Sequence, residues 1–195
     1  RKGWHCSDIT ELIRTMLARA AARRLPLYAL SMDVIAACDA VKPCFAASAL
    51  RAQGLSRGLA PTSLRGSLEL VALPTLASLR SPASQVRKGV RQGGSGSPTL
   101  WSAYISPALR RLRARWPAAP PAIAWAPEVD EHTVLLRADN AYLVASEIRT
   151  IQDRAGDIER AFARMGLTFS AGSLECMASP CVVAAPWALA AGKVA

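Results

Sequence analysis

The chain has 195 residues, room for one domain or a piece of one, and its 51% hydrophobic content is enough for a core. Twenty-four Lys and Arg against fourteen Asp and Glu leave a net charge of +10. An excess of that size points to a polyanionic partner, nucleic acid first. The arginines are spread along the chain rather than gathered beside one amphipathic anchor, which argues against a membrane surface. Cys6, Cys38, Cys44, Cys176 and Cys181 are odd in number and lack a C-x-x-C pair, and His5 and His132 lie far apart. That pattern argues against a disulfide framework and a zinc site and suits an intracellular setting, nucleus or cytoplasm, rather than secretion. No signal peptide or membrane-length apolar span is present. A start at Arg1 reads as a fragment or a processed product.

In chain order, Asp8 and Glu11 open a helix in which Ile9, Leu12, Ile13, Met16, Leu17 and Ala20 recur at helical spacing, with Pro26 as its end. Leu27 to Met32 is a short apolar run arriving at Asp33, a buried strand. Pro43 opens a helix to about Gln53, with Gly54 as its stop. Leu55 to Leu79 reads as helical in parts, broken by Gly58, Pro61, Gly66 and Pro74. Ser81-Pro82-Ala83-Ser84 is a turn cluster between two extended segments. A glycine-rich stretch, Gly89 to Pro98, feeds a helix from about Thr99 to Trp116, which Pro107 should kink. The proline- and alanine-rich residues 117–127 read as a loop.

Thr133 to Ala138 and Ala141 to Ala145 are apolar segments around Asp139-Asn140, a hairpin with polar side chains at its tip. Ile148, Ile151, Ala155, Ile158, Phe162 and Met165 define a helix that Gly166 stops, and Leu167 to Phe169 form one more strand. The expected fold is α+β, with helices packed on a small antiparallel sheet.

Two acids occupy matching places: Asp33 at the end of a buried strand and Asp139 at the tip of a hairpin. Each alone reads as a loop or cap residue. On adjacent central strands the two carboxylates would come within bridging distance and repel unless a cation neutralised them. Carboxylate oxygens suit Mg²⁺, and a pair of such ions clamps the attacking and leaving oxygens of a phosphoryl transfer. Gly93, Gly94 and Gly96 let a backbone approach a bulky ligand, and Gln92 can pair with a base edge or a sugar hydroxyl. Ser97-Pro98 opens a helix whose positive end attracts phosphate. On composition alone, the same glycines would serve a flexible linker.

Four blocks in order resemble the reverse transcriptases of non-LTR retrotransposons and group II introns. Ser31-Met32-Asp33-Val34-Ile35-Ala36-Ala37-Cys38-Asp39-Ala40-Val41 is similar to their first palm motif. Gly89-Val90-Arg91-Gln92-Gly93 with Ser97-Pro98 is similar to their G-V-R-Q-G-x-x-x-S-P motif. Arg137-Ala138-Asp139-Asn140 stands where they carry Y-A-D-D, and Gly166-Leu167 through Ser173-Leu174-Glu175-Cys176-Met177 resembles the next block. The resemblance implies a right-hand polymerase: residues 1–26 the end of the fingers, 27–180 the palm, 181–195 a truncated tail, and no thumb. It implies RNA-directed DNA synthesis on an RNA template from a DNA primer and dNTPs, with two Mg²⁺ ions. Missing parts of the polyprotein would be a thumb and an endonuclease. By the same resemblance Asp33, Val34 (through its carbonyl) and Asp139 hold metal, Asp33, Asp139 and Asn140 form the catalytic group, and Val34, Cys38, Gln92 and Gly93 line the nucleotide. Asp39 is structural.

Four positions depart from the motifs. Asn140 replaces the second acid and removes a charge. Arg137 replaces the tyrosine and brings a cation beside Asp139. Cys38 replaces the aromatic residue under the sugar, and Ser173 a lysine thought to aid pyrophosphate departure. Two alternatives follow: a degenerate relic with little or no synthesis, and a maturase-like RNA-binding module that needs neither Asp33 nor Asp139.

Overall fold

A computed structural model describes residues 6–58, 71–72, 75–76, 79–80, 84–85, 88–90, 96–116, 121–126, 134–137 and 139–181. The chain divides into two compact units, each assembled from distant segments: Arg1–Ile35 with Leu112–Ala163 and Thr168–Ala195, and Ala36–Arg111 with Arg164–Leu167.

The first unit is built on a four-stranded antiparallel sheet, order β6-β7-β1-β8, from β1 (Tyr28–Asp33), β6 (Val134–Arg137), β7 (Asn140–Ala145) and β8 (Glu175–Ala178). Side chains alternate along a strand, so Leu27, Ala29, Ser31 and Asp33 share a face with their partners Val144, Tyr142 and Asn140. Helix α1 (Cys6–Ala22) covers the apolar end of that face. Its Ile13, Met16 and Ala20 join Leu27, Ala29, Leu135, Val144, Ile123 and Ala126 in one buried cluster. Burial of these side chains is the main stabilising term, at roughly 25 cal/mol per Å² of apolar surface. Helix α5 (Ile148–Ala163) packs on β7 and β1, burying Ile151, Ala155, Ile158 and Phe162 at the expected spacing.

The expected first strand and hairpin strands are present. The loop also has a role that composition did not reveal. Ala122, Ile123 and Ala126 are buried, and the Ser146 hydroxyl accepts from Ala124 N–H at 2.7 Å and donates to Ala122 C=O at 2.9 Å. Two expectations are corrected. Leu167–Phe169 is not a strand but a single bridge between Phe169 and Val34. The fourth strand is instead β8, whose register on β1 (Ala29↔Met177, Leu30↔Cys176) is set by pairing rather than by β-branched composition. Helix α1 also stops before Pro26. Leu25 N–H bonds Ala20 C=O at 2.9 Å and Arg24 N–H bonds Ala21 C=O at 3.1 Å, with Arg24 at φ 55°. This is a Schellman end built on arginine instead of glycine.

The second unit holds α2 (Ala37–Ala40), α3 (Pro43–Ala52) and α4 (Ser97–Arg115) up to Arg111. Helix α3 ends as its sequence indicates. Gly54 lies at φ 97°, and Leu55 N–H bonds Leu50 C=O at 3.1 Å. The short strands are β2 (Val71–Ala72), β3 (Thr75–Leu76), β4 (Leu79–Arg80) and β5 (Ser84–Gln85). Leu76 pairs with Leu79 and Ser84 with Ala72, so Ser84, expected in the turn cluster, is strand. Within the stretch expected to be helical in parts, residues 71–72, 75–76 and 79 are strand, because cross-strand pairing overrides a weak pattern broken by Gly and Pro; residues 55–58 are loop and turn, and 59–70 lie outside the described set. Residues 81–83 lie outside the described set.

Helix α4 runs unbroken through Pro107. Proline lacks the N–H that Ala103 C=O would accept four residues back, and the Gln53 side-chain amide donates to that carbonyl instead, at 3.2 Å.

Candidate active site

Strand β1 ends where three neighbours fix its backbone. Val34 N–H donates to Asp139 C=O at 3.3 Å, Ser170 N–H to Asp33 C=O at 2.9 Å, and Ile35 N–H to Thr168 C=O at 2.9 Å. The first bond makes Val34 and Asp139 a hydrogen-bonded pair. Antiparallel alternation then makes the preceding pair, Asp33 and Asn140, a non-hydrogen-bonded one, the kind with Cα atoms about 4.5 Å apart and the closer side chains.

Asp33 and Asn140 thus sit side by side on two central strands, on the face whose other end is the α1 core. Asp139 follows at the exposed hairpin turn. Of the two acids expected to meet, Asp139 is one step along the ladder, and the residue directly opposite Asp33 is Asn140. Asp33 and Asn140 are half-buried. Asn140 Oδ1 is shut off from solvent and has no hydrogen-bond donor.

An orphaned buried acceptor beside a carboxylate is a donor set made of oxygen, which hard divalent cations use. The residues therefore fit such a cation. Among the described residues no group of three or more His, Cys, Asp and Glu could hold a metal.

In the second unit, Cys38 is half-buried and Asp39 exposed. The backbone here explains one motif glycine. Gly89 N–H donates to Val41 C=O and Val90 N–H to Cys38 C=O, both at 2.8 Å. Gly89 sits at φ 98°, and a Cβ on it would lie 3.1 Å from Asp39 Cα and 3.2 Å from Cys38 O. Both a left-handed backbone and a close approach require glycine there. Ala36, before α2, takes φ 46° without being glycine, a strained conformation that no sequence signal announced. Gln92 and Gly93 lie outside the described residues, as does the Arg137 side chain. Ser173 closes a short 3₁₀ turn, its hydroxyl donating to Ser170 C=O at 3.0 Å.

A second polar cluster in the first unit has no signature in the sequence. Asp157, on α5, accepts from Trp116 Nε1 at 3.1 Å and Arg160 at 2.8 Å, with Arg115 at 3.9 Å. The buried Arg154 guanidinium lies 5.0 Å from the Trp116 ring centre. Arg115, Trp116, Arg154 and Asp157, with Glu147, Arg149, Thr150 and Asp153, line an open groove of about 400 Å³. Burial pushes the Asp157 carboxyl up, but the Trp116 and Arg160 hydrogen bonds and the two arginine charges outweigh it and hold the group below its ordinary 3.8.

No family model and no curated protein matches the chain. Its structure is similar to telomerase from Candida albicans in complex with a TWJ fragment of telomeric RNA, with TM-score 0.64 and 14% identity over 88% of this chain and 30% of that one. It is also similar to telomerase from Candida tropicalis in complex with a TWJ fragment of telomeric RNA (TM-score 0.62, 11% identity, 89% of this chain, 29% of that one). Apo telomerase from Candida tropicalis, truncated from its C-terminal domain, gives TM-score 0.56 and 12% identity over 92% of this chain and 41% of that one. At these identities the likeness is one of fold: α+β and reverse transcriptase-like. The chain spans less than half the length of these telomerases. Among the described residues no helix is long and apolar enough to cross a membrane.

Proposed function

We propose that the chain is the palm-centred part of a reverse transcriptase of the non-LTR retrotransposon or group II intron type. It would extend a DNA primer on an RNA template from dNTPs. One observation carries the reading: Asp33 ends a central strand opposite Asn140, with Asp139 at the adjoining turn, inside a reverse transcriptase-like fold. The net charge of +10 supports a nucleic-acid partner. The neighbouring telomerases bound to telomeric RNA lend the same support. Residues 1–26 would close the fingers and 27–180 form the palm, with the thumb and any endonuclease supplied by the rest of a longer protein.

Asp33, Asp139 and the Val34 carbonyl would hold two Mg²⁺ ions, which when bound supply charge stabilisation for both the attacking and leaving oxygens. The chain's own contribution is positional. The backbone hydrogen bonds at Asp33, Val34 and Asp139 fix the strand end from which the two carboxylates and the Val34 carbonyl would reach the ions. Cys38, Gln92 and Gly93 would contact the nucleotide. With Cys38 in place of an aromatic ring, discrimination against a ribose hydroxyl would weaken.

The second reading, an impaired relic, is favoured by Asn140 itself, a neutral side chain with an unmatched oxygen where the motif has an acid. Primer extension on an RNA template separates the two: a working polymerase extends as it stands, whereas an impaired relic stays at background until Asn140→Asp restores the acid. If the chain is a working or damaged polymerase, Asn140→Asp raises extension and Asp33→Ala abolishes it. Losing one transition-state charge contact changes rates by roughly 10²–10³. Extension that Asp33→Ala leaves intact overturns the proposal. RNA binding with a steep salt dependence that neither variant changes would indicate the maturase-like module.

A further inference from the structure

We infer that the Asn140 side-chain oxygen is a direct cation ligand, and that this chain's site therefore favours Mn²⁺ over Mg²⁺. The inference rests on the metal site proposed above and deepens it at one residue. Asn140 stands opposite Asp33 in a non-hydrogen-bonded pair, where Cβ atoms lie about 4.5–5.5 Å apart. Its Oδ1 has neither solvent nor a donor. A buried amide oxygen left so is destabilising unless something positive meets it. Among the described residues no third acid stands nearby to complete a carboxylate cage.

A neutral ligand changes which ion the site takes. Mg²⁺ sheds its waters reluctantly and is usually recruited by carboxylates and phosphates, so an amide in place of an acid removes part of the pull that would dehydrate it. Mn²⁺ accepts the same oxygen ligands with less demand on geometry. The Asn140 amide would therefore enter the shell of Mn²⁺ directly, while Mg²⁺ stays attached through its own waters.

Electron paramagnetic resonance titration of Mn²⁺ on the full chain, with Mg²⁺ as competitor, tests this without any turnover, circular dichroism verifying that each variant is folded. The wild type should bind Mn²⁺, and Mg²⁺ should compete only at a concentration at least roughly tenfold higher. Asn140→Ala should weaken Mn²⁺ by roughly tenfold or more. Asn140→Asp should tighten Mg²⁺ more than Mn²⁺ and narrow the gap. Mn²⁺ affinity unchanged in Asn140→Ala, but lost in Asp33→Ala, overturns this inference and leaves the broader metal reading standing. Binding unchanged in both variants removes the metal site altogether.

Discussion

Two acid-bearing corners of the first unit differ in how many donors the fold supplies to them. Asp157 sits in a closed account of hydrogen bonds: an indole N–H at 3.1 Å, a guanidinium at 2.8 Å and a second at 3.9 Å. Asp33 has Asn140 opposite it, and the Asn140 oxygen has no donor. A carboxylate whose protons and charges come from the protein is part of the structure. A buried acceptor that the fold leaves without a donor, beside a carboxylate, marks a place for a cation. The difference separates a structural acid from a candidate site better than burial does, because Asp33 and Asp157 are both half-buried.

The contrast breaks if the two acids behave alike under substitution, and this is where the largest effect on stability is expected. Asp157→Ala removes the partner of Trp116 and Arg160, and charge-assisted bonds of this kind are worth about 1.5–3 kcal/mol. Asp33→Ala, measured without divalent cations, should move the urea midpoint by no more than about 0.5 kcal/mol, as for a site that makes no special contact. A large loss from Asp33→Ala in metal-free buffer would mean that Asp33 is held by the fold after all.

Acid sharpens the same comparison. The folded Asp157 carboxyl lies below its unfolded value of 3.8, so its contribution is fully present above 3.8 and is lost as pH falls through the lower folded value. Asp157→Asn should destabilise the chain at neutral pH, and its stability curve should converge with that of wild type as pH drops below 3.8. Parallel curves down to the acid limb would show that the Trp116 and Arg160 bonds do not favour the ionised form.

A third acceptor falls between these extremes. Pro107 strips Ala103 C=O of its helical donor, and Gln53 replaces it at 3.2 Å. Gln53→Ala should cost about 1 kcal/mol, the usual worth of one such bond. In a Pro107→Ala background the backbone N–H returns and the effect of Gln53→Ala should vanish. Additivity of the two substitutions would show that Gln53 and Pro107 are energetically unconnected.

How much of this was legible in the sequence depends on the range of the cue. Local cues carried far: the 3.6-residue spacing from Ile148 to Phe162, the strand run into Asp33, and Gly54 after α3 all match the structure. Register did not. That Asn140 rather than Asp139 faces Asp33, that β8 pairs with β1, and that Ser84 is strand all depend on which residues pair across space. The Gln53–Ala103 bond and the Asp157 cluster were also out of reach. They join residues 50 and 41 positions apart, with no motif to mark them.

The smallest effect tests a cue that pointed to the wrong residue. Pro26 was the visible stop for α1, yet the chain turns at Arg24, in a Schellman end like the one Gly54 provides for α3. A side chain in the left-handed region is strained by roughly 1–2 kcal/mol, and glycine removes that strain while adding freedom to the unfolded chain. Arg24→Gly should therefore stabilise the protein by about 0.5–1 kcal/mol, and Gly54→Ala should destabilise it by a similar amount. Thermal unfolding of the two variants beside wild type reads both signs. A lower midpoint for Arg24→Gly would mean that the arginine side chain makes contacts outweighing its backbone strain, and that the two helix ends are alike in hydrogen bonding alone.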